Sequence, residues 1–167
     1  METWIFSLPT SNPTNHAMLR GISPLISPEL LATLSCMGHH DEIVFGDAHF
    51  PGESHNDQII RADGLRIDHL LDAILPLFEL DHVIDTPVMM MGPRQEDLAD
   101  PQIAADYQKV KEGYTEIVKK HYPECPPIGQ IGKYDFYPHT KKAFAVVMTG
   151  DVRIYANLIL AKGVTPS

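Results

Sequence analysis

The sequence predicts a single-domain α/β fold, a layered α/β/α arrangement on a mixed central sheet, and three observations support it. Short apolar runs of strand length alternate with longer stretches of helical spacing, as expected for helices layered on a sheet. Two pairs, Ser27-Pro28 and Asp100-Pro101, combine a capping side chain with proline at the first helical position. The closing strand candidates are joined by connections too short for a parallel crossover helix, so the sheet must be mixed.

The first helix starts at Ser27-Pro28. Its apolar face is Leu30, Leu31, Leu34 and Met37, and Gly38 is the expected stop. Residues 42–45 read as a buried strand, and 58–61 as a second strand closed by the turn pair Asp63-Gly64. Asp68 is the expected cap of another helix with Leu70, Leu71, Ile74 and Leu75 on its core face, ended or bent by Pro76. Pro87 opens a buried strand over 88–91. Behind Asp100-Pro101 the longest helix carries the stripe Ile103, Tyr107, Val110, Tyr114, Ile117 and His121, a packing face. Strand candidates follow at 129–131, 143–148 and 156–161.

Composition narrows the function classes. The 167 residues suffice for one domain with a real core, and the 44% hydrophobic content is ordinary for a globular chain. The 22 acidic residues against 13 basic ones give a formal charge of −9, which argues against a nucleic-acid partner. Cys36 and Cys125 lack metal-type spacing and fit a reduced, cytoplasmic protein. No apolar run approaches a membrane span. Residues 1–17, rich in Ser, Thr, Asn and Pro, read as a disordered leader or tag without the features of a secretory signal, with Met18 as a candidate functional start and 18–167 as the domain.

The densest chemistry lies in the run from Met37 to Pro51. Two histidines sit on the turn before a strand, and Asp47 and His49 sit just after it. Ligands of α/β folds bind at strand ends, and histidine moves protons near neutral pH. With Tyr137, Tyr155 and Asn157 near other strand ends, the set suits proton shuttling and hydroxyl recognition. No nucleophile elbow, P-loop or dinucleotide fingerprint is present.

Three stretches, GISPLISPELLATLSCMGHHDEIVFGDAHFP, IRADGLRIDHLLDAILPLFELD and FYPHTKKAFAVVMTGDVRIYANLILAKGV, resemble the L-fucose mutarotase family, sisters of the D-ribose pyranases, over roughly Met18 to Pro166. The DAHFP segment looks like the fucose branch. The resemblance implies a cofactor-free, metal-free isomerase that interconverts the α and β anomers of L-fucose or a related free monosaccharide. It places catalytic groups on His39 and Tyr155, and sugar contacts on Asp47, Asp81, Met91, Lys133, Tyr137 and Asn157. It also implies a homo-oligomer, a decameric ring with sites completed across subunit interfaces. Two departures stand out: His40 occupies a position where the family usually has glycine, and Lys133 one where it commonly has arginine, losing the two-pronged donor geometry.

Other readings remain at this stage. A ribose pyranase would exchange ring sizes as well as anomers. A sugar-binding module would hold fucose without turnover. A metal hydrolase would use His39, His40, Asp47 and His49 as ligands, but their spacing matches no recognised metal pattern. Each residue also has a structural alternative: Asp47 as a turn cap, Tyr155 as an ordinary strand aromatic, Met89 to Met91 as core, Asp81 as a loop cap, and His49 as a core or interface residue. Lys119 and Lys120 suit a solvated helix end.

Overall fold

Strands buried at every residue need cover on both faces, and three strands here have that pattern: Val88–Gly92, Ala145–Thr149 and Leu158–Ala161. In the computed structural model, which describes residues 19–165, they belong to a six-stranded sheet. The expected leader at 1–17 and the start at Met18 lie outside the described residues.

In chain order the elements of the described residues are α1 (Pro28–Cys36), β1 (Glu42–Gly46), β2 (Ile59–Ala62), α2 (Ile67–Ile74), β3 (Val88–Gly92), α3 (Gln95–Leu98), α4 (Pro101–His121), β4 (Gly129–Gly132), α5 (Lys133–Lys142), β5 (Ala145–Thr149) and β6 (Leu158–Ala161), with a 3-10 turn at Gly52–Ser54. The sheet order is β2-β5-β1-β6-β3-β4. Five strands run parallel. β6 runs against them between β1 and β3, pairing Val44 with Ile159 and Met89 with Ile159.

Side-chain alternation along the strands separates two cores. Ile43, Phe45, Ile60, Val88, Met90, Ala145, Val147, Leu158 and Leu160 face α1, α2 and α4. Val44, Met89, Met91, Val146, Met148 and Ile159 face Phe136 of α5 and Phe50 of the loop after β1. The expected three layers are therefore present. Leu70, Leu71, Ile74 and Leu75 are all buried in the first core, as their spacing implied; each such side chain stabilises the fold by about 1.5–3 kcal/mol. Among the described residues no helix is long and apolar enough to cross a membrane.

Several element expectations need correction. α5 falls where only a connection was expected: aromatic residues and an internal Pro138 obscure its helical spacing, and only Phe136 and Thr140 are buried. The β4–β5 link therefore does hold a crossover helix and joins parallel strands; the antiparallel step comes from the β5–β6 loop alone. β5 begins at Ala145 rather than 143, and β6 at Leu158 rather than 156. α1 is capped by Ser27 as expected, its hydroxyl accepting from the Leu30 N–H at 3.1 Å. It ends because Met37 turns extended (φ −68°, ψ 135°), not through a left-handed Gly38.

Asp68 does not cap α2. Arg66 holds the cap position without a side-chain bond, and the Ile67 N–H donates instead to Asp151, 84 residues away, at 3.1 Å. Asp151 is buried and also accepts from the Arg153 backbone N–H and guanidinium. Burial opposes its ionisation, yet these donors hold its carboxyl below the usual aspartate value. Its contribution to stability is thus present above the unfolded value near 3.8 and is lost only as pH falls through the depressed folded value. Asp151→Ala leaves Arg153 only its ion pair with Asp68 at 3.2 Å and leaves the Ile67 N–H at the helix start without its acceptor. The expected loss is about 2–4 kcal/mol in denaturant unfolding at neutral pH; a loss under 1 kcal/mol would contradict this assignment.

Candidate functional site

Because β6 opposes its neighbours, its first residues lie among the carboxyl ends of β1, β3 and β4. Asp47 follows β1, Met91 nears the end of β3, Lys133 follows β4, and Tyr155 and Asn157 precede β6. These residues, with Tyr137 of α5, line one cleft of about 330 Å³, at the lower end of the range for small-ligand pockets.

Reciprocal hydrogen bonds form its floor. The Asp47 N–H donates to Asn157 Oδ1 at 2.7 Å, and Asn157 Nδ2 donates to Asp47 Oδ2 at 2.9 Å. Asp47 Oδ1 accepts from the His49 N–H at 2.9 Å, so the turn-cap reading of Asp47 is also correct. Asn157 Nδ2 lies 3.7 Å from Met91 Sδ, and the Met91 N–H donates to the Asn157 carbonyl at 3.1 Å. Burial raises the Asp47 carboxyl above its usual value despite these donors.

Tyr155 is held in the left-handed region at φ 58°, a costly conformation for a bulky side chain. Two anchors impose it. Tyr114 of α4, fully buried, donates its hydroxyl to the Ala156 carbonyl at 3.0 Å. The Tyr155 hydroxyl donates to Asp97 of α3. Arg94 grips the same carboxylate with two donors at 2.8 and 3.0 Å. Arg94 and then Tyr155 hold the Asp97 carboxyl down to about 2, so at neutral pH it is an anion that orients the phenol. Lys133 Nζ lies 5.9 Å from the Tyr137 ring centre, and His55 stacks on the same ring at a centroid distance of 4.5 Å.

Arg94 and Asp97 escaped the sequence reading. The available signal was their position just beyond the carboxyl end of a buried strand, where ligands gather. His49 and Ile103 also line the cleft, although the helical stripe assigns Ile103 to packing alone.

His39 and Asp81 are elsewhere in the same chain. They sit with His40 at the amino end of β1, and the His40 N–H donates to the Lys162 carbonyl beyond the far end of β6. At about 3.3 Å per strand residue, roughly 15–20 Å of sheet separates them from Asp47 and Tyr155. His40 Nδ1 is 2.6 Å and His39 Nε2 3.5 Å from Asp81 Oδ2. The Val83 N–H donates to Asp81 Oδ1 at 2.9 Å, so the loop-cap reading of Asp81 holds as well. Burial opposes ionisation of Asp81, but that N–H and the His40 ring outweigh it and lower its carboxyl. One copy of the chain thus carries two polar clusters at opposite ends of one sheet. The four-ligand cluster of the metal-hydrolase reading is split between them: His39 and His40 stand at one end, Asp47 and His49 at the other.

The chain is similar to known proteins over most of its length. The chain is 46% identical over 149 residues to an L-fucose mutarotase of Haemophilus influenzae, covering 89% of this chain and 99% of the relative. The fucose mutarotase of Streptococcus pneumoniae, solved in complex with L-fucose, superposes with a TM-score of 0.80 at 39% identity, over 89% of this chain and 100% of the other. The FucU protein of Bifidobacterium longum superposes with a TM-score of 0.79 at 36% identity, over 88% and 100%. A model of the RbsD / FucU transport protein family matches residues 20–165, and the chain belongs to that family.

Proposed function

We propose that the protein is an isomerase that interconverts the α and β anomers of L-fucose, using the cleft between Asp47 and Tyr155 as its sugar site. One observation carries the reading: a buried carboxylate, a carboxamide and a tethered phenol converge on a cleft sized for one small molecule. It is supported by the 46% identity to a protein named as an L-fucose mutarotase.

The chemistry needs two proton transfers. A base takes the proton of the anomeric hydroxyl while an acid protonates the ring oxygen. The bond from C1 to the ring oxygen breaks and an aldehyde forms. After rotation about C1–C2, the hydroxyl adds back to the other carbonyl face and both protons return. Tyr155 presents its phenol oxygen to this exchange, its own proton directed to the Asp97 carboxylate. Asp47 and Asn157 hold sugar hydroxyls, Met91 and Tyr137 supply apolar surface, and Lys133 with Arg94 supplies donors.

In this reading the second proton group is His39, which lies at the other end of the sheet in the same chain and would come from another copy. Each copy would offer His39 and Asp81 from one end of its sheet and the cleft from the other. A closed ring, as a homodecamer, satisfies this head-to-tail demand because such interfaces repeat until they close. Exposed apolar residues beside the cleft, Ile154 and Val152, and beside the histidines, Val83, suit buried contacts in such a ring. Two free cysteines accord with a cytoplasmic setting.

Three outcomes test the reading. His39→Ala is expected to lower fucose anomer exchange, measured by saturation-transfer NMR, by about 10²–10⁴-fold with the fold intact; D-ribose exchange measured alongside separates the sister activity. Unfolding and co-assembling His39→Ala with Tyr155→Phe should restore about a quarter of the wild-type rate, because random assembly places both intact groups at that share of interfaces. No restoration would overturn the shared site. Asp97→Asn keeps an acceptor but loses the charge that orients Tyr155, and should lower kcat by about tenfold or more with KM little changed.

The pH response follows from opposite shifts. Asp47 titrates above 3.8, whereas Asp81 and Asp151 titrate below it. As pH falls, Asp47 loses its charge first, so fucose binding should fade while circular dichroism still reports a folded chain. Unfolding that precedes the loss of binding contradicts this order.

A further inference from the structure

The histidine end of the sheet holds more than the proposed sugar chemistry uses. One ligating atom each from His39, His40 and Asp81 lies within 4.8 Å of the others. The imidazoles stack with centroids 3.7 Å apart, and the side chains of His39 and His40 are 38% and 56% exposed, while the Asp81 side chain is fully buried. This makes an anionic floor with two nitrogen donors at its rim. Asp81 Oδ1 is already bound to the Val83 N–H, so Oδ2 is the oxygen both rings approach.

The cluster is held by its backbone. The Asp81 N–H donates to the Ala161 carbonyl at 3.0 Å and the His40 N–H to the Lys162 carbonyl at 2.9 Å. Gly163 fits so closely against this segment that a Cβ there would lie 2.4 Å from the Leu80 carbonyl oxygen. His40 itself sits at φ 69°, a conformation that residues with a Cβ adopt at a cost unless their surroundings impose it.

We propose that His39, His40 and Asp81 form a binding site for a divalent transition-metal ion of the zinc class, and that its occupation halts the sugar reaction by taking up the His39 lone pair. Two imidazoles and a carboxylate, with a position left for water, are a donor set zinc accepts at 2.0–2.2 Å. The short contact between His40 and Asp81 must open to about 3 Å to admit the ion, a movement within reach of an exposed ring. Binding displaces any proton on the rings to solvent. No bond to the sugar is involved. The inhibitory part rests on the fucose mutarotase reading; the binding part does not.

The test titrates zinc chloride into the full-length protein by calorimetry, with cobalt chloride and visible absorption as a second probe, and follows L-fucose exchange in parallel. We expect one ion per chain with a dissociation constant in the micromolar range or below, exchange suppressed by stoichiometric zinc, and recovery on adding EDTA. His40→Gly, a residue suited to φ 69°, should weaken zinc binding by about 10–100-fold or more. It should blunt inhibition relative to its own zinc-free rate. Absence of binding, or binding unchanged in His40→Gly, overturns the site. Binding that depends on His40 while exchange continues undiminished overturns the inhibitory part. If zinc binds in this way but the zinc-free protein shows no fucose exchange, the metal site stands and the fucose reading falls.

Discussion

β6 runs against five parallel strands, and most of the cleft depends on that reversal. A chain that enters the sheet antiparallel begins where its neighbours end. Its first residues are thereby delivered to the carboxyl edge, where Asp47 follows β1, Met91 nears the end of β3 and Lys133 follows β4. Asn157 meets Asp47 because Phe45 pairs with Leu158 in the register of β1 and β6. A shift by one residue would turn every β6 side chain to the opposite face and remove the pairing of carboxylate and carboxamide.

The same reversal sends the other end of β6 back to the amino edge of β1, where Lys162 receives the His40 N–H. Polar chemistry therefore collects at both ends of the sheet, and the apolar middle keeps the ends apart. The electrostatics differ as well. Asp47 is buried with backbone and carboxamide donors and with no arginine or lysine paired to it, and burial raises its carboxyl. Asp81 and Asp97 face histidines or an arginine and are lowered. Three aspartates of one small domain are thus set to different protonation behaviour by their neighbours alone, the usual way in which one side-chain type serves separate roles.

Much of this was legible in the chain. Ser27-Pro28 and Asp100-Pro101 marked their helices because capping is local chemistry. The strands at 42–46 and 88–92 were legible because burial on both faces leaves an unbroken apolar run. α5 was not, because Phe136 and Thr140 alone face inward and Pro138 interrupts the pattern. The true cap of α2 could not be read at all: Asp151 lies 84 residues from Ile67, and only the folded sheet brings them together. At the site, Asp47, Met91, Lys133, Tyr137, Tyr155 and Asn157 do meet in one cleft. The resemblance supplied that grouping; spacing alone did not. It also hid Arg94 and Asp97, whose part emerges only from contact with Tyr155.

Asp151 has a consequence for how such a molecule can change over generations. Its carboxylate starts α2 and restrains Arg153, and its carbonyl takes the Ala48 N–H beside Asp47. One residue thus braces the scaffold and aligns both rims of the cleft. Lineages cannot soften the scaffold here to gain a more adaptable pocket, since the same alteration disturbs both. Adaptation to new sugars is steered instead toward α3 and the start of α5, where Arg94, Asp97 and Lys133 reach the cleft from segments that carry little of the core.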